Sequence, residues 1–337
     1  LLRGFSAPVI LDAPLSEGDR LVLLAHDSDP FNRWDAGRGL MRAALVAMLT
    51  DGAAPDPALF AALDRVARDD RVDPAFRALV LARPSEDDLA QAAMAAGLVP
   101  DPSAIHAARA RFDAALAGAL APTLTALYDA MDPGPVYRPD APDAAKRTLR
   151  NSALALLTKT DGGARARAQY DAATNMTDQM AAFTALLDAG DGDVAGQFYD
   201  QWKADRLVID KWFMAQVAHA APDRAVEVAT ALTGHPDFDW QNPNRFRSVM
   251  AGLTSGNPAG FHDPSGAGYR FLADWLLKLD ARNPQTAARM STAFETWARY
   301  DADRQGLILA ELDRIAAAPG LSRDLSEMVD RMRSRGD

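Results

Sequence analysis

The fold is constrained most by a repeated pattern, in which helix-length segments each carry a capping residue in front and an apolar stripe along one side. Asn283 stands at a capping position before Pro284, whose missing N–H costs nothing in a first helical turn. Apolar residues then recur three or four positions apart, which marks one face of an α-helix. They are Met290, Ala293, Phe294 and Trp297. We predict that one continuous helix carries all of them.

Other helix boundaries show the same chemistry. Ser85 precedes a run of acidic residues, so its side chain can cap a backbone N–H while the carboxylates favour the positive helix end. Gly97 is suited to close a helix, because Pro100 follows where a helix does not continue. The last apolar stripe consists of Leu325, Met328, Val329 and Met332. Local chemistry therefore sets helix starts, helix ends and buried faces.

The number and spacing of these segments predict the fold class. We expect about twelve to sixteen helices, and no residue-level repeat of fixed period is visible in the 337 residues. Helices at irregular spacing favour an all-α fold, an irregular helical-repeat (ARM/HEAT-like) superhelix. Residues 5–11 differ, because they are short, β-like and punctuated by proline. We predict a short β or extended segment over residues 1–15 and the helical domain over residues 16–337.

Charge and composition disfavour several kinds of partner. A formal net charge of −10 and a pI near 5.0 disfavour nucleic acid and anionic membranes, since both would repel the chain. No apolar run approaches the roughly 18 residues of a membrane helix. The absence of cysteine removes disulfide frameworks and thiolate metal sites. We expect no nucleic-acid partner, no membrane partner and a soluble, cytoplasmic protein, with a periplasmic location left open.

No constellation of catalytic residues is visible in the sequence. The chain has no phosphate-binding loop, no G-x-S-x-G elbow and no His-Glu-x-x-His zinc signature. The five histidines are widely separated, and no two lie four positions apart. They are His26, His106, His219, His235 and His262. Zinc needs three or four convergent ligands, so we interpret these as surface or hydrogen-bonded core residues and predict no catalytic residue, metal or cofactor in this chain.

Two polar residues are placed where a ligand could reach them. Gln285 and Arg289 lie four positions apart in the helix after Asn283, so both project from one face. The guanidinium of Arg289 offers five donors in a planar fork, which suits a carboxylate or a peptide carbonyl. An ion pair with a neighbouring helix is the alternative interpretation.

Several uncommon strings, in a fixed order, resemble a known family. They are KRTLRN at 146–151, NMTD at 175–178, DKWF at 210–213 and NPNRFRS at 242–248. With the opening residues 1–9, they make the whole chain similar to the C-terminal helical domain of bacterial aminopeptidase N, a family of zinc metallopeptidases. We expect residues 1–15 to be the end of a preceding β-sandwich, as the resemblance implies, or a linker. The start at Leu1, without an initiator Met, is what we expect of a piece of a longer chain.

The resemblance implies a supporting role. Zinc and its activated water belong to a separate catalytic domain of the parent enzyme, so this chain alone is expected to be inactive. The domain would cap the catalytic domain, form the substrate chamber and help position peptides for removal of the N-terminal residue. Its partners would be the catalytic domain of the same polypeptide and peptide substrates. Gln285 and Arg289 match positions lining the chamber, and Arg247 matches a residue near the same cavity.

Two other functions stay open at this point. The chain could be a free-standing helical-repeat scaffold that binds proteins or peptides in a concave groove. It could also be an independent hydrolase, although no nucleophile–base pair supports that. An exposed apolar patch would favour the domain of a larger enzyme, because a severed interface must lie somewhere. Polar helices at both ends would favour the scaffold.

Overall fold

A computed structural model describes residues 15–134 and 136–334, together with residues 4, 6 and 9. Within those residues the chain forms eighteen α-helices and no β-strand. The all-α prediction is confirmed, and the helices are more numerous than expected. The predicted β or extended segment at residues 1–15 lies almost entirely outside the described residues, so that segment and the domain boundary stay predictions.

The chain divides into two compact units, and the first comprises Leu1–Ala92 and Ala107–Gly190. It holds seven complete helices and most of α5 and α6. The helices are α1 (Glu17–His26), α2 (Pro30–Thr50), α3 (Pro57–Arg68), α4 (Pro74–Leu81), α5 (Glu86–Ala95), α6 (Pro102–Ala130), α7 (Ala141–Asp161), α8 (Ala164–Ala172) and α9 (Met176–Asp188). In this unit α1 packs on α2 and α3, α4 packs on α7, and α8 packs on α9.

The second unit comprises Ala93–His106 and Asp191–Asp337. Its helices are α10 (Val194–Trp202), α11 (Arg206–Ala218), α12 (Ala225–Thr233), α13 (Pro243–Thr254), α14 (Pro258–Phe261), α15 (Ala267–Asp280), α16 (Pro284–Ser291), α17 (Ala302–Ala316) and α18 (Arg323–Arg333). Here α11 packs on α13, α15 packs on α16 and α17, and α16 packs on α18.

The predicted helix boundaries are present. The Asn283 side chain accepts the backbone N–H of Thr286 at 3.0 Å, directly before α16. Ser85 accepts the N–H of Asp88 at 3.1 Å, and the Asp88 carboxylate accepts the N–H of Ser85 at 3.0 Å, which forms a reciprocal cap. Gly97 follows α5 with a φ of 81°, a left-handed conformation that glycine adopts without strain.

The continuous helix predicted from Met290 to Trp297 is not present. Helix α16 ends at Ser291, and two short 3₁₀ turns follow, Thr292–Phe294 and Trp297–Arg299. Phe294 and Trp297 are buried as expected. The tighter turns redirect the chain, so that the indole N–H of Trp297 donates to the carbonyl of Met332 at 3.0 Å. The predicted stripe of α18 is confirmed, since three of its four residues are fully buried.

Candidate functional site

The site residues predicted from the sequence lie on two helices of the second unit, α13 and α16, which pack against each other. In α16 the buried side is formed by Ala287 and Ala288, which face the protein interior. Gln285 and Arg289 are both exposed, one turn apart. The capping bond from Asn283 fixes the first turn of this helix, and thereby the direction in which both side chains leave it.

The guanidinium of Arg289 is available to a ligand. Among the residues that the structure describes, none forms an ion pair or a hydrogen bond with its side chain. The interhelical ion pair that was the alternative interpretation is therefore absent from this part of the chain. Five N–H donors remain on the exposed side of α16. A substrate-binding role for Arg289 and for Gln285 stays a prediction.

Arg247 is held differently from the other two. It is half-buried on α13, and its guanidinium turns back along the first turn of its own helix. Its Nε donates to the carbonyl of Pro243 at 3.0 Å, and its Nη2 donates to Asn244 Oδ1 at 2.5 Å. The structure thus brings Gln285 and Arg289 onto one exposed face, while Arg247 bonds within the neighbouring helix and keeps Nη1 free to donate.

A buried polar cluster in the same unit was not predicted. His262 is 4% exposed, and both ring nitrogens are hydrogen-bonded to tyrosine hydroxyls. Nδ1 lies 3.0 Å from the hydroxyl of Tyr269, and Nε2 lies 3.0 Å from that of Tyr300. Burial lowers the pKa of His262 to about 3, and the positive charges of Arg299 and Arg304 add to that effect. The ring is therefore neutral, which suits a histidine whose partners are two uncharged hydroxyls.

The cluster is tied to the chain by a further bond. Arg304, itself buried, donates from Nε to the backbone carbonyl of His262 at 2.7 Å. Its Nη1 donates to the carboxylate of Asp301 at 2.6 Å. The interpretation of His262 as a hydrogen-bonded core residue is thus confirmed. Tyr269 and Tyr300 lie 7 and 38 positions from His262 along the chain, so the sequence near His262 does not reveal that the three side chains meet.

Among the described residues, no three His, Cys, Asp or Glu side chains come together in a way that could hold a metal ion. Within the same residues, no helix has both the length and the apolar character needed to cross a membrane.

Comparison with known proteins shows which family the chain resembles in sequence. The sequence matches DUF3458_C, described as a domain of unknown function with ARM repeats, over residues 17–334. It is 41% identical to the Aminopeptidase N of Caulobacter vibrioides, a match that covers 98% of this chain and 39% of that protein. The Aminopeptidase N of Escherichia coli is 35% identical, with 98% of this chain and 38% of that protein covered.

A solved structure agrees with the sequence matches. The crystal structure of Legionella pneumophila aminopeptidase A in complex with aspartic acid superposes with a TM-score of 0.86 and 26% identity, over 99% of this chain and 40% of that one. The predicted helical-repeat class and the resemblance to aminopeptidase N are confirmed. The chain spans about two fifths of the length of the curated relatives it matches.

Proposed function

Because the chain belongs to the DUF3458_C family of ARM-repeat domains, we propose that it is the non-catalytic helical domain of a zinc-dependent aminopeptidase N. It would cap the catalytic domain, enclose the substrate chamber and help position peptides from which the N-terminal residue is removed. The observation that carries this proposal is 41% identity to an Aminopeptidase N along 98% of the chain. We place the enzyme in the cytoplasm.

Zinc would be held by another part of the parent enzyme. Catalytic zinc sites use three protein ligands drawn from His, Glu, Asp and Cys, and the described residues offer no such group. This chain's own contribution would therefore be binding and orientation. Orientation of this kind lowers the barrier by holding the reacting groups in a productive geometry.

The residues proposed for that role are Arg289, Gln285 and Arg247. The guanidinium of Arg289, which pairs with no described residue, would bind a carbonyl or carboxylate of the peptide downstream of the scissile bond. Gln285, one turn away, would add an amide donor and acceptor on the same exposed face. Arg247 would contribute its remaining donors from the adjacent helix, held in place by its bonds to Pro243 and Asn244.

The surface of α11 is consistent with a neighbouring domain. Leu207 is 70% exposed and Met214 is 42% exposed, and their separation of seven positions, about two turns, places both on one side of the helix. Exposed apolar residues that share a face are typical of surfaces that another domain covers. A neighbouring domain of a larger enzyme would cover both side chains, which supports the proposal over a free-standing scaffold.

The test is Arg289→Ala in the full-length enzyme. We expect kcat/KM for a tetrapeptide to fall about tenfold, the effect of losing one charge-assisted hydrogen bond. Hydrolysis of an aminoacyl amide, which has no residue downstream of the scissile bond, should stay within about twofold because it makes no contact with Arg289. Steady-state kinetics on the two substrates measures the difference.

Arg282→Ala is the matched control. Arg282 is also exposed, lies just before α16 and carries the same charge, so its loss reports the general effect of removing a cation from this surface. The variant should hydrolyse both substrates as the unchanged enzyme does. If Arg289→Ala slows the peptide and the amide equally, Arg289 has a structural role and the positioning proposal is wrong.

A further inference from the structure

The first unit contains a cavity that is lined by apolar residues on one side and by charged residues on the other. Its volume is about 370 Å³, within the range of about 300–1,000 Å³ typical of pockets for small organic ligands. One wall is apolar and comes from the last turns of α6 and the residue after it. That wall is formed by Pro122, Ala126, Leu127, Ala130 and Met131. The charged residues at the cavity are Arg68, Asp70 and Arg77.

Arg77 is the residue that this cavity leaves incompletely bonded. It lies on α4 and is only 4% exposed. Its Nη1 donates to the backbone carbonyl of Ala67 at 3.2 Å, and its buried Nε has no hydrogen-bond partner. Among the described residues, no carboxylate forms an ion pair with it. A buried guanidinium normally has a counter-ion, because an unpaired charge removed from water is costly.

No neighbouring carboxylate in the described part of the chain serves as the counter-ion of Arg77. The carboxylate of Asp64 is paired with Arg68 at 2.8 Å, and Arg68 also donates to the hydroxyl of Thr123 at 2.8 Å. Asp70 lines the cavity but is exposed, and it acts on Arg77 only at longer range. Burial outweighs the nearby carboxylates, so the pKa of Arg77 is lowered, although a guanidinium stays charged at neutral pH.

We propose that this cavity binds a monocarboxylate with a short apolar body, whose carboxylate pairs with Arg77 and whose chain lies against the apolar wall of α6. Two features of the cavity select this chemistry. The Nε of Arg77 has no hydrogen-bond partner, and a carboxylate offers two oxygens that accept from a guanidinium. Burial of a hydrocarbon chain against the apolar wall is energetically favourable. A medium-chain fatty acid and the C-terminal residue of a peptide both carry this chemistry.

The experiment measures binding by titration calorimetry with the full chain. Octanoate is the first probe, and 1-octanol and octylammonium have the same chain with no charge or the opposite charge. We expect octanoate to bind at least about tenfold more tightly than either, because only octanoate pairs with the guanidinium. N-acetylleucine is the second carboxylate and stands for the C-terminal residue of a peptide, so the tighter of the two probes distinguishes a fatty acid from a peptide C-terminus.

Two variants tie the binding to this cavity. Arg77→Met keeps the length of the side chain and removes the charge, and it should weaken octanoate at least about tenfold. Arg71→Met is the matched control, because Arg71 is 85% exposed, pairs with Asp69 and does not line the cavity. Its affinity for octanoate should stay within about twofold of the unchanged chain.

A third variant keeps the test valid if Arg77→Met fails to fold. Ala126→Phe places a ring in the cavity from the exposed side of α6 and leaves Arg77 in place, so it should abolish saturable octanoate binding at an unchanged melting temperature. The proposal is wrong if octanoate shows no saturable binding, if octanol binds as tightly, or if Ala126→Phe binds octanoate as before. It does not depend on the proposed peptidase role, whose substrate-binding residues lie in the other unit.

Discussion

Gly268→Ala is expected to destabilise the chain by about 3 kcal/mol or more, at the upper end of what overpacking costs. A Cβ at this position in α15 would clash with the backbone carbonyl oxygen of Phe261 and lie 3.0 Å from two further backbone atoms of that residue. Phe261 is fully buried at the end of α14, so its main chain has little room to move. The free energy of unfolding in urea measures the effect.

Gly306→Ala provides the comparison within the same unit. Gly306 lies in the interior of α17, and a Cβ there would meet no atom within 4 Å. Alanine should stabilise this helix by about 0.5–1 kcal/mol, because it loses less conformational freedom on folding than glycine. The two substitutions are chemically identical. Changes of opposite sign in the free energy of unfolding would therefore reflect the close approach of α15 to Phe261. Similar effects at both positions would show that α14 and α15 separate easily.

The parts of the fold that could be predicted from the sequence are those set by neighbouring residues. A cap such as Asn283 or Ser85 bonds to a backbone N–H three positions away, so the sequence already contains both partners. The stripe of α18 also repeats within one helix, and burial follows from it. For the same reason Gln285 and Arg289 were correctly placed together on one exposed face.

The parts that could not be predicted depend on distant partners. Trp297 was assigned to the helix of Met290, but its indole bonds to a carbonyl 35 positions later, and the chain leaves the α-helix to reach it. Arg77 would be taken for a surface residue from its sequence, and only packing of α4 against other helices buries it. The proposed role of Arg289 depends in turn on the roughly three fifths of the relatives' length that the match does not cover.

The buried His262 is expected to make the chain less stable as the pH falls. An unfolded histidine takes up a proton near pH 6.5, whereas burial lowers the folded pKa of His262 to about 3. Between these values the unfolded state binds more protons, so stability is lost by about 1.4 kcal/mol for each pH unit below 6.5. From pH 7.5 to pH 5 this single group should remove about 2 kcal/mol.

His262→Phe tests this assignment in two ways. At pH 7.5 the variant should be less stable by about 1–3 kcal/mol, because the buried hydroxyl of Tyr269 loses its partner, while that of Tyr300 keeps the donor from Arg299 at 2.7 Å. Its loss of stability between pH 7.5 and pH 5, measured by urea unfolding, should be smaller than that of the unchanged chain by about 2 kcal/mol. His26→Gln, at an exposed position, should lose as much stability between pH 7.5 and pH 5 as the unchanged chain does. Equal pH dependence in all three chains would mean that the ring of His262 takes up its proton in the folded state, and that the two tyrosine hydroxyls do not hold it neutral.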